Sequence, residues 1–153
     1  ITDAKPKIGD YEFTTLKPNL GIVKYKDFNT FVVSDIPGII KGASKGKGLG
    51  HHFLRHIERN SILIFLVSSE SQNINKKFNI LVDELRKYNK ELLDKEKLLV
   101  VTKCDLIQKD TLSELKSNNK LKSLSIDVHF ISSITGYGLE TLKDLMWKKL
   151  NTL

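Results

Sequence analysis

Apolar residues change their spacing along this chain in a regular way. Leu20 to Tyr25 and Thr30 to Ser34 are β-prone stretches joined by a short polar link containing Asp27 and Asn29, the pattern of a hairpin. Ahead of them, Ile1 to Lys17 shows no sustained period of 2 or 3.6 and predicts a long exposed loop. Behind them, Ile39 to Gly50 carries glycines at 42, 46, 48 and 50, which predicts a backbone that is mobile or closely approached by a ligand. Phe53, Leu54 and Ile57 then mark one face of a helix over Leu49 to Arg59, and Ile62 to Val67 is an apolar run expected to form a strand buried on both sides.

That alternation repeats. Ile74, Phe78, Leu81, Val82 and Leu85 stripe a helix, and Leu98 to Val101 supplies a short buried strand. Leu112, Leu115 and Leu121 precede a strand at Val128 to Ile131, and Leu139, Leu142, Leu145, Met146 and Leu150 line a closing helix on which Trp147 is expected to pack. Helices alternating with buried strands predict an α/β fold with a parallel sheet covered on both faces.

In such a sheet, ligands lie beyond the carboxyl ends of the strands. The residues at those places are Asp35-Ile36-Pro37-Gly38, Ser68-Ser69, Thr102-Lys103-Cys104-Asp105 and Ser132-Ser133-Ile134. A strand-end Asp35 suits Mg²⁺ held through water beside a phosphate, and Gly38 offers an unhindered N–H to a terminal phosphate. Asp105 can accept from both N1 and the 2-amino group of guanine, a donor pair that adenine lacks, while Lys103 lays its methylene stem over the base. Each has a plainer reading, a tight turn at Asp35 and a solvated turn at Lys103. Their order along the chain, with helices between them, favours a nucleotide site.

Composition narrows the classes further. With 153 residues, 40% of them hydrophobic and 28% charged, the chain fits one folded domain and not a collagenous, mucin-like or wholly disordered one. Twenty-five basic against eighteen acidic residues give +7, which favours contact with a polyanion such as RNA. Cys104 is the single cysteine, so an internal disulfide and a thiolate zinc cluster are excluded, and a reducing, cytoplasmic setting is expected. No apolar run approaches the roughly 20 residues needed to cross a bilayer, so no membrane insertion is expected.

Longer stretches are more specific. Ala4-Lys5-Pro6-Lys7-Ile8, Phe13-Thr14-Thr15-Leu16, Pro18-Asn19-Leu20-Gly21, Asp35-Ile36-Pro37-Gly38 and Gly48-Leu49-Gly50-His51-His52-Phe53-Leu54-Arg55-His56-Ile57-Glu58 together resemble the GTPase domain of the Obg family of ribosome-associated P-loop GTPases. The resemblance continues through Thr102 to Asp105 and Ile131 to Leu139, and so covers nearly the whole chain. It implies a three-layer P-loop NTPase (Ras-like GTPase) fold. No G-x-x-x-x-G-K-[ST] occurs, and Gly42 to Gly48 lacks the Gly-Lys-Ser/Thr ending. Residues 1–153 are therefore expected to be a partial GTPase domain, incomplete at the N-terminus, with the first central strand and phosphate-binding loop absent. The isolated chain should then have an interrupted ladder beside 62–67 and bind guanine nucleotide poorly.

Carried over position by position, the resemblance implies that Thr15 and Asp35 hold Mg²⁺, that Gly38, with Pro37 before it, senses the γ-phosphate, and that the glycine-rich segment 38–50 is the second switch. Thr102, Lys103 and Asp105 match the guanine-reading segment, and Ser132-Ser133-Ile134 the loop whose backbone N–H reaches guanine O6. The implied ligands are GTP or GDP with Mg²⁺, and the apolar Ile39 implies slow hydrolysis or help from a partner or a bound monovalent cation. The implied role is a slowly hydrolysing, monomeric cytoplasmic switch in large-subunit assembly, its partners a ribosomal particle, rRNA or ribosomal proteins. Three departures bear on this. Thr102 stands where asparagine is usual, and Ser133 where alanine is usual. Ile39 stands where many small GTPases carry a glutamine, so no general base is assigned.

Two other classes remain open. A nucleotide-independent RNA- or protein-binding module would explain the +7 charge and the absent loop. A zinc hydrolase using His51, His52 and His56 lacks an H-E-x-x-H arrangement. Lys41, Lys45, Lys47, Arg55 and Arg59 suit either contact with rRNA or solvated charge, and Cys104 is expected to be a spacer or packing residue.

Overall fold

The computed structural model describes residues 1–2, 19–35 and 57–152. In chain order its elements are β1 (Asn19–Tyr25), β2 (Asn29–Asp35), β3 (Ile62–Ser68), α1 (Ile74–Tyr88), β4 (Glu96–Thr102), α2 (Lys109–Ser117), α3 (Asn119–Lys122), β5 (Asp127–Phe130) and α4 (Leu139–Leu150). Short 3-10 turns at Lys90–Asp94 and Cys104–Leu106 lead into and out of β4.

The run Leu98 to Val101 decides the architecture, because four consecutive apolar side chains in a strand need partners on both faces. All four are fully buried. β4 lies between β3 and β5, parallel to each, in the order β3-β4-β5. On one face, Leu99 and Val101 join Leu63, Phe65 and Val67 of β3 against Ile74, Phe78 and Leu85 of α1. On the other, Leu98 and Val100 join Ile131 against Leu142 and Met146 of α4. Helices therefore cover both faces of β4, as the alternation predicts for that strand.

Caps set the limits of α1. Asn73 accepts a hydrogen bond from the N–H of Lys76 at 2.8 Å, and Arg86 and Lys87 place positive charge in the last turn beside the free carbonyls. The leucines expected to precede β5 are divided between two helices, because the side chain of Asn118 accepts from the N–H of Lys120 at 2.9 Å and starts α3.

β1 and β2 pair antiparallel as a separate two-stranded sheet, Asn19 opposite Asp35 and Tyr25 opposite Asn29. Asp27 and Phe28 both have positive φ, 55° and 65°, the handedness that matches a tight turn to strand twist. Side chains attach this hairpin to the rest of the protein. Phe31 and Val33 pack against the cluster of Leu98, Val100 and Met146. Tyr25 stacks on Trp147 with ring centroids 5.0 Å apart, and both the Tyr25 hydroxyl and Lys26 Nζ reach Asp144 Oδ1 at 2.7 Å. Trp147 is thus the packing residue it was expected to be. At Gly21 the chain comes so close to Thr2 that a Cβ would lie 2.7 Å from the threonine side chain.

Among the described strands no backbone pairing joins β2 to β3. One expectation for β3 is corrected. Leu63, Phe65 and Val67 are buried, but Leu66 on the other face is 61% exposed. Ile64 packs against the cluster under α4, whereas Leu66 belongs to neither core cluster among the described residues. Of the helix expected over 49–59, Ile57 and Glu58 are described and helical, and Ile57 is buried in the core beneath α1. The expected loops over 3–17 and 39–50 lie outside the described residues.

Candidate guanine-nucleotide site

The parallel register levels the strand ends. Ser68 stands opposite Thr102, and beyond the end of β5 the N–H of Ile131 donates to Val101 O at 2.8 Å. The chain leaves β4 through Lys103, whose φ of 59° and ψ of 36° put a residue with a Cβ in the left-handed region, at a cost of about 1–2 kcal/mol. Two bonds hold Cys104 behind it. Its N–H donates to Ile131 O at 3.1 Å and its Sγ to Val101 O at 3.4 Å. Burial pushes the Cys104 thiol up, outweighing the bond to Ile131, so it is a poor nucleophile and suits a packing role.

Asp105 follows, exposed, at the front of the turn. Ser132, 1% exposed, donates from Oγ to Asp105 Oδ1 at 2.5 Å and accepts from the N–H of Thr135 at 3.1 Å. This ties the loop after β4 to the loop after β5. A carboxylate held through one oxygen keeps acceptor capacity on the other for a pair of adjacent N–H donors. The second loop is closed on itself by the N–H of Ser132 donating to Tyr137 O at 3.0 Å, and it is braced by Lys116, which reaches the Tyr137 hydroxyl at 2.5 Å. Ser133 is exposed and Ile134 is 83% exposed, so their backbone N–H groups lie in a surface loop next to the Ser132–Asp105 pair.

Gly138 makes the next turn feasible. Its φ is +73°, and a Cβ there would meet Phe130 O at 2.3 Å, so only glycine lets the loop return to start α4. The carbonyl of the same residue lies 2.8 Å from His129 Nε2.

The structure therefore brings Thr102, Lys103, Asp105, Ser132, Ser133 and Ile134 together at one edge. Asp35 is exposed at the end of β2, on the hairpin sheet. An exposed strand-end carboxylate is a hard oxygen donor that fits Mg²⁺, which keeps most of its waters and takes its other ligands from phosphate. Thr15, Pro37 and Gly38 lie outside the described residues, as do His51, His52, His56, Lys41, Lys45, Lys47 and Arg55. Among the described residues no three His, Cys, Asp or Glu side chains form a metal-binding group, and no helix is long and apolar enough to cross a membrane.

A polar hollow of about 450 Å³ lies at the other end of the sheet, where β4 and β5 begin. Lys149 Nζ bridges Glu96 Oε2 and Asp127 Oδ2 there, each at 2.8 Å, and those bonds, Asp127 first, raise its pKa. Its charges are matched internally.

A parallel α/β sheet carries the left-handed Lys103, the anchored Asp105 and the Ser132 loop together at its carboxyl edge. Solved structures agree on the fold. Era in complex with MgGDPNP and nucleotides 1506–1542 of 16S ribosomal RNA aligns over 95% of this chain and 47% of that chain, with a TM-score of 0.67 at 20% identity. Era from Aquifex aeolicus bound to GDP·AlF4⁻ aligns over 97% of this chain and 48% of that one, with a TM-score of 0.65 at 17% identity. Residues 1–103 match the family model described as 50S ribosome-binding GTPase. Over 151 residues the sequence is 58% identical to GTPase Obg of Flavobacterium johnsoniae, covering 99% of this chain and 45% of the relative. It is 51% identical to GTPase Obg of Bacteroides thetaiotaomicron, covering 99% of this chain and 38% of the relative. The chain belongs to the family described as 50S ribosome-binding GTPase, is similar to GTPase Obg along 99% of its length, and spans less than half the length of these relatives.

Proposed function

We propose that residues 1–153 are part of an Obg-type GTPase domain that binds guanine nucleotide with Mg²⁺, hydrolyses GTP slowly and signals the loss of the γ-phosphate through its switches. The single observation that carries this reading is the bond from Ser132 to Asp105, which aims a surface carboxylate from two strand ends at once. Asp105 accepts from N1 and the 2-amino group of guanine, and adenine, with no donor at either position, leaves the carboxylate unpaired. Lys103 covers the base with its methylene stem, Thr102 supports the turn, and a backbone N–H of the Ser132-Ser133-Ile134 loop donates to O6.

On the phosphate side, Thr15 and Asp35 hold Mg²⁺, and Gly38, placed by Pro37, donates its N–H to the γ-phosphate. When bound, the metal would neutralise charge on the phosphates. A monovalent cation serves as a further cofactor. With Ile39 in place of a glutamine, the chain supplies no side chain there to orient water, consistent with slow turnover. Release of the γ-phosphate frees the segment 38–50 and alters its contacts with a ribosomal particle through rRNA or ribosomal proteins. The matching family's description and the +7 charge support a ribosomal partner. A role in large-subunit assembly, by a monomer acting in the cytoplasm, belongs to the same proposal.

Calorimetry on the full-length protein tests this. GDP with Mg²⁺ is expected to bind at least 100-fold more tightly than ADP, the scale set by two hydrogen bonds to a charged group. Equal affinities, or no binding of either, would favour the nucleotide-independent module instead.

A further inference from the structure

Of the strand-end residues, Ser68-Ser69 have no part in the reading above. Ser69 is 6% exposed, yet it makes two bonds across to the end of β4. Its N–H donates to Thr102 O at 2.8 Å, extending the β3–β4 ladder one residue past Ser68. Its hydroxyl donates to Lys103 O, also at 2.8 Å. The peptide unit that begins with the Lys103 carbonyl ends with the Cys104 N–H, and that N–H is bonded to Ile131 O at 3.1 Å. One peptide plane is therefore gripped from both sides, by a side chain from the end of β3 and a carbonyl from beyond β5.

That plane sits between the two side chains that read the base. Lys103 is left-handed, a conformation that persists only where surrounding structure holds it. Asp105 is two residues further on, so rotation of the Lys103–Cys104 peptide would swing both the lysine stem and the carboxylate. Water cannot readily replace the buried serine hydroxyl as donor to the Lys103 carbonyl. Ser68 is different, since its hydroxyl accepts a local turn bond from the N–H of Glu70 at 3.3 Å.

We propose that Ser69 is a positioning residue for guanine selectivity, acting through the Lys103 carbonyl. The inference rests on the guanine site proposed above. Its test compares GDP, IDP and ADP binding to the full-length protein by calorimetry, in the wild type and in Ser69→Ala, Ser69→Thr and Ser68→Ala. IDP lacks the 2-amino group and so never makes the second bond to Asp105. Ser69→Ala is expected to weaken GDP about tenfold and IDP less than about threefold, lowering the GDP-to-IDP preference at least threefold. Ser69→Thr keeps the hydroxyl and should recover most of that preference, and Ser68→Ala should leave it unchanged. Equal weakening of GDP and IDP would reduce Ser69 to a structural residue, and an unmoved preference in a guanine-selective protein would overturn its assignment alone. A wild type that binds ADP as tightly as GDP would remove the guanine site and this proposal together.

Discussion

The parallel sheet and the hairpin hold their places by different means. β4 is hydrogen-bonded along both edges and buried on both faces, so each residue from Leu98 to Val101 is fixed by backbone and side chain alike. The hairpin strands are bonded only to each other among the described strands. They meet the rest of the protein through Tyr25, Lys26, Phe31 and Val33 on α4 and the core beneath it, while Leu20, Ile22 and Val32 on their other face are exposed. The six residues proposed for the base side root in the sheet, whereas Asp35 roots in the hairpin. The proposed switch would use that asymmetry, with the base-side residues fixed by the sheet and the phosphate-side carboxylate on an element held by side-chain contacts.

The largest expected effect lies in the sheet. Leu99→Ala should cost about 2–5 kcal/mol in chemical denaturation, because the cavity opens in the fully buried strand. Ile22→Ala, on the open face of the hairpin, should stay within about 0.5 kcal/mol. Similar losses at the two positions would erase the contrast.

Next is the return to α4. Gly138→Ala combines a φ of +73° with a Cβ 2.3 Å from Phe130 O, and about 1–3 kcal/mol of stability should be lost in the same assay. An alanine variant as stable as the wild type would show that this loop is not rigid.

The smallest effect concerns the hairpin anchor. The bond from Lys26, then that from Tyr25, holds the Asp144 carboxyl below its ordinary 3.8. A carboxyl whose folded value is depressed contributes its stabilisation above the unfolded value and loses it as pH falls through the folded one. Trp147 is the only tryptophan and stacks on Tyr25, so its fluorescence reports the contact. Acidification below about pH 4 should shift that emission before global unfolding, and Asp144→Asn should abolish the acid-dependent step. A wild-type emission flat through this range would mean that packing alone holds the hairpin.

Much of this was legible because a strand announces itself by which neighbours it needs. The run at 98–101 demanded burial on both faces and has it. The run at 62–67 looks the same in sequence but is covered fully on one face only, since exposure of Leu66 depends on partners remote in the chain. The split at Asn118 depends on a side chain competing for a local N–H. At the site, residue types at strand ends were readable one segment at a time. The bonds that assemble them were not, because Ser132 and Asp105 are 27 residues apart and Ser69 and Lys103 are 34 apart. Likewise the Tyr25–Asp144 bond spans 119 positions and follows from the fold alone.

The base-reading role proposed for the anchored carboxylate is tested most directly by exchanging its chemistry in the full-length protein. Xanthine carries a carbonyl oxygen where guanine has its 2-amino group, and an asparagine amide can donate to that oxygen. Asp105→Asn should weaken GDP about 100-fold or more and bind XDP more tightly than GDP, as measured by calorimetry. A variant that keeps wild-type affinity for GDP and gains none for XDP would contradict the account.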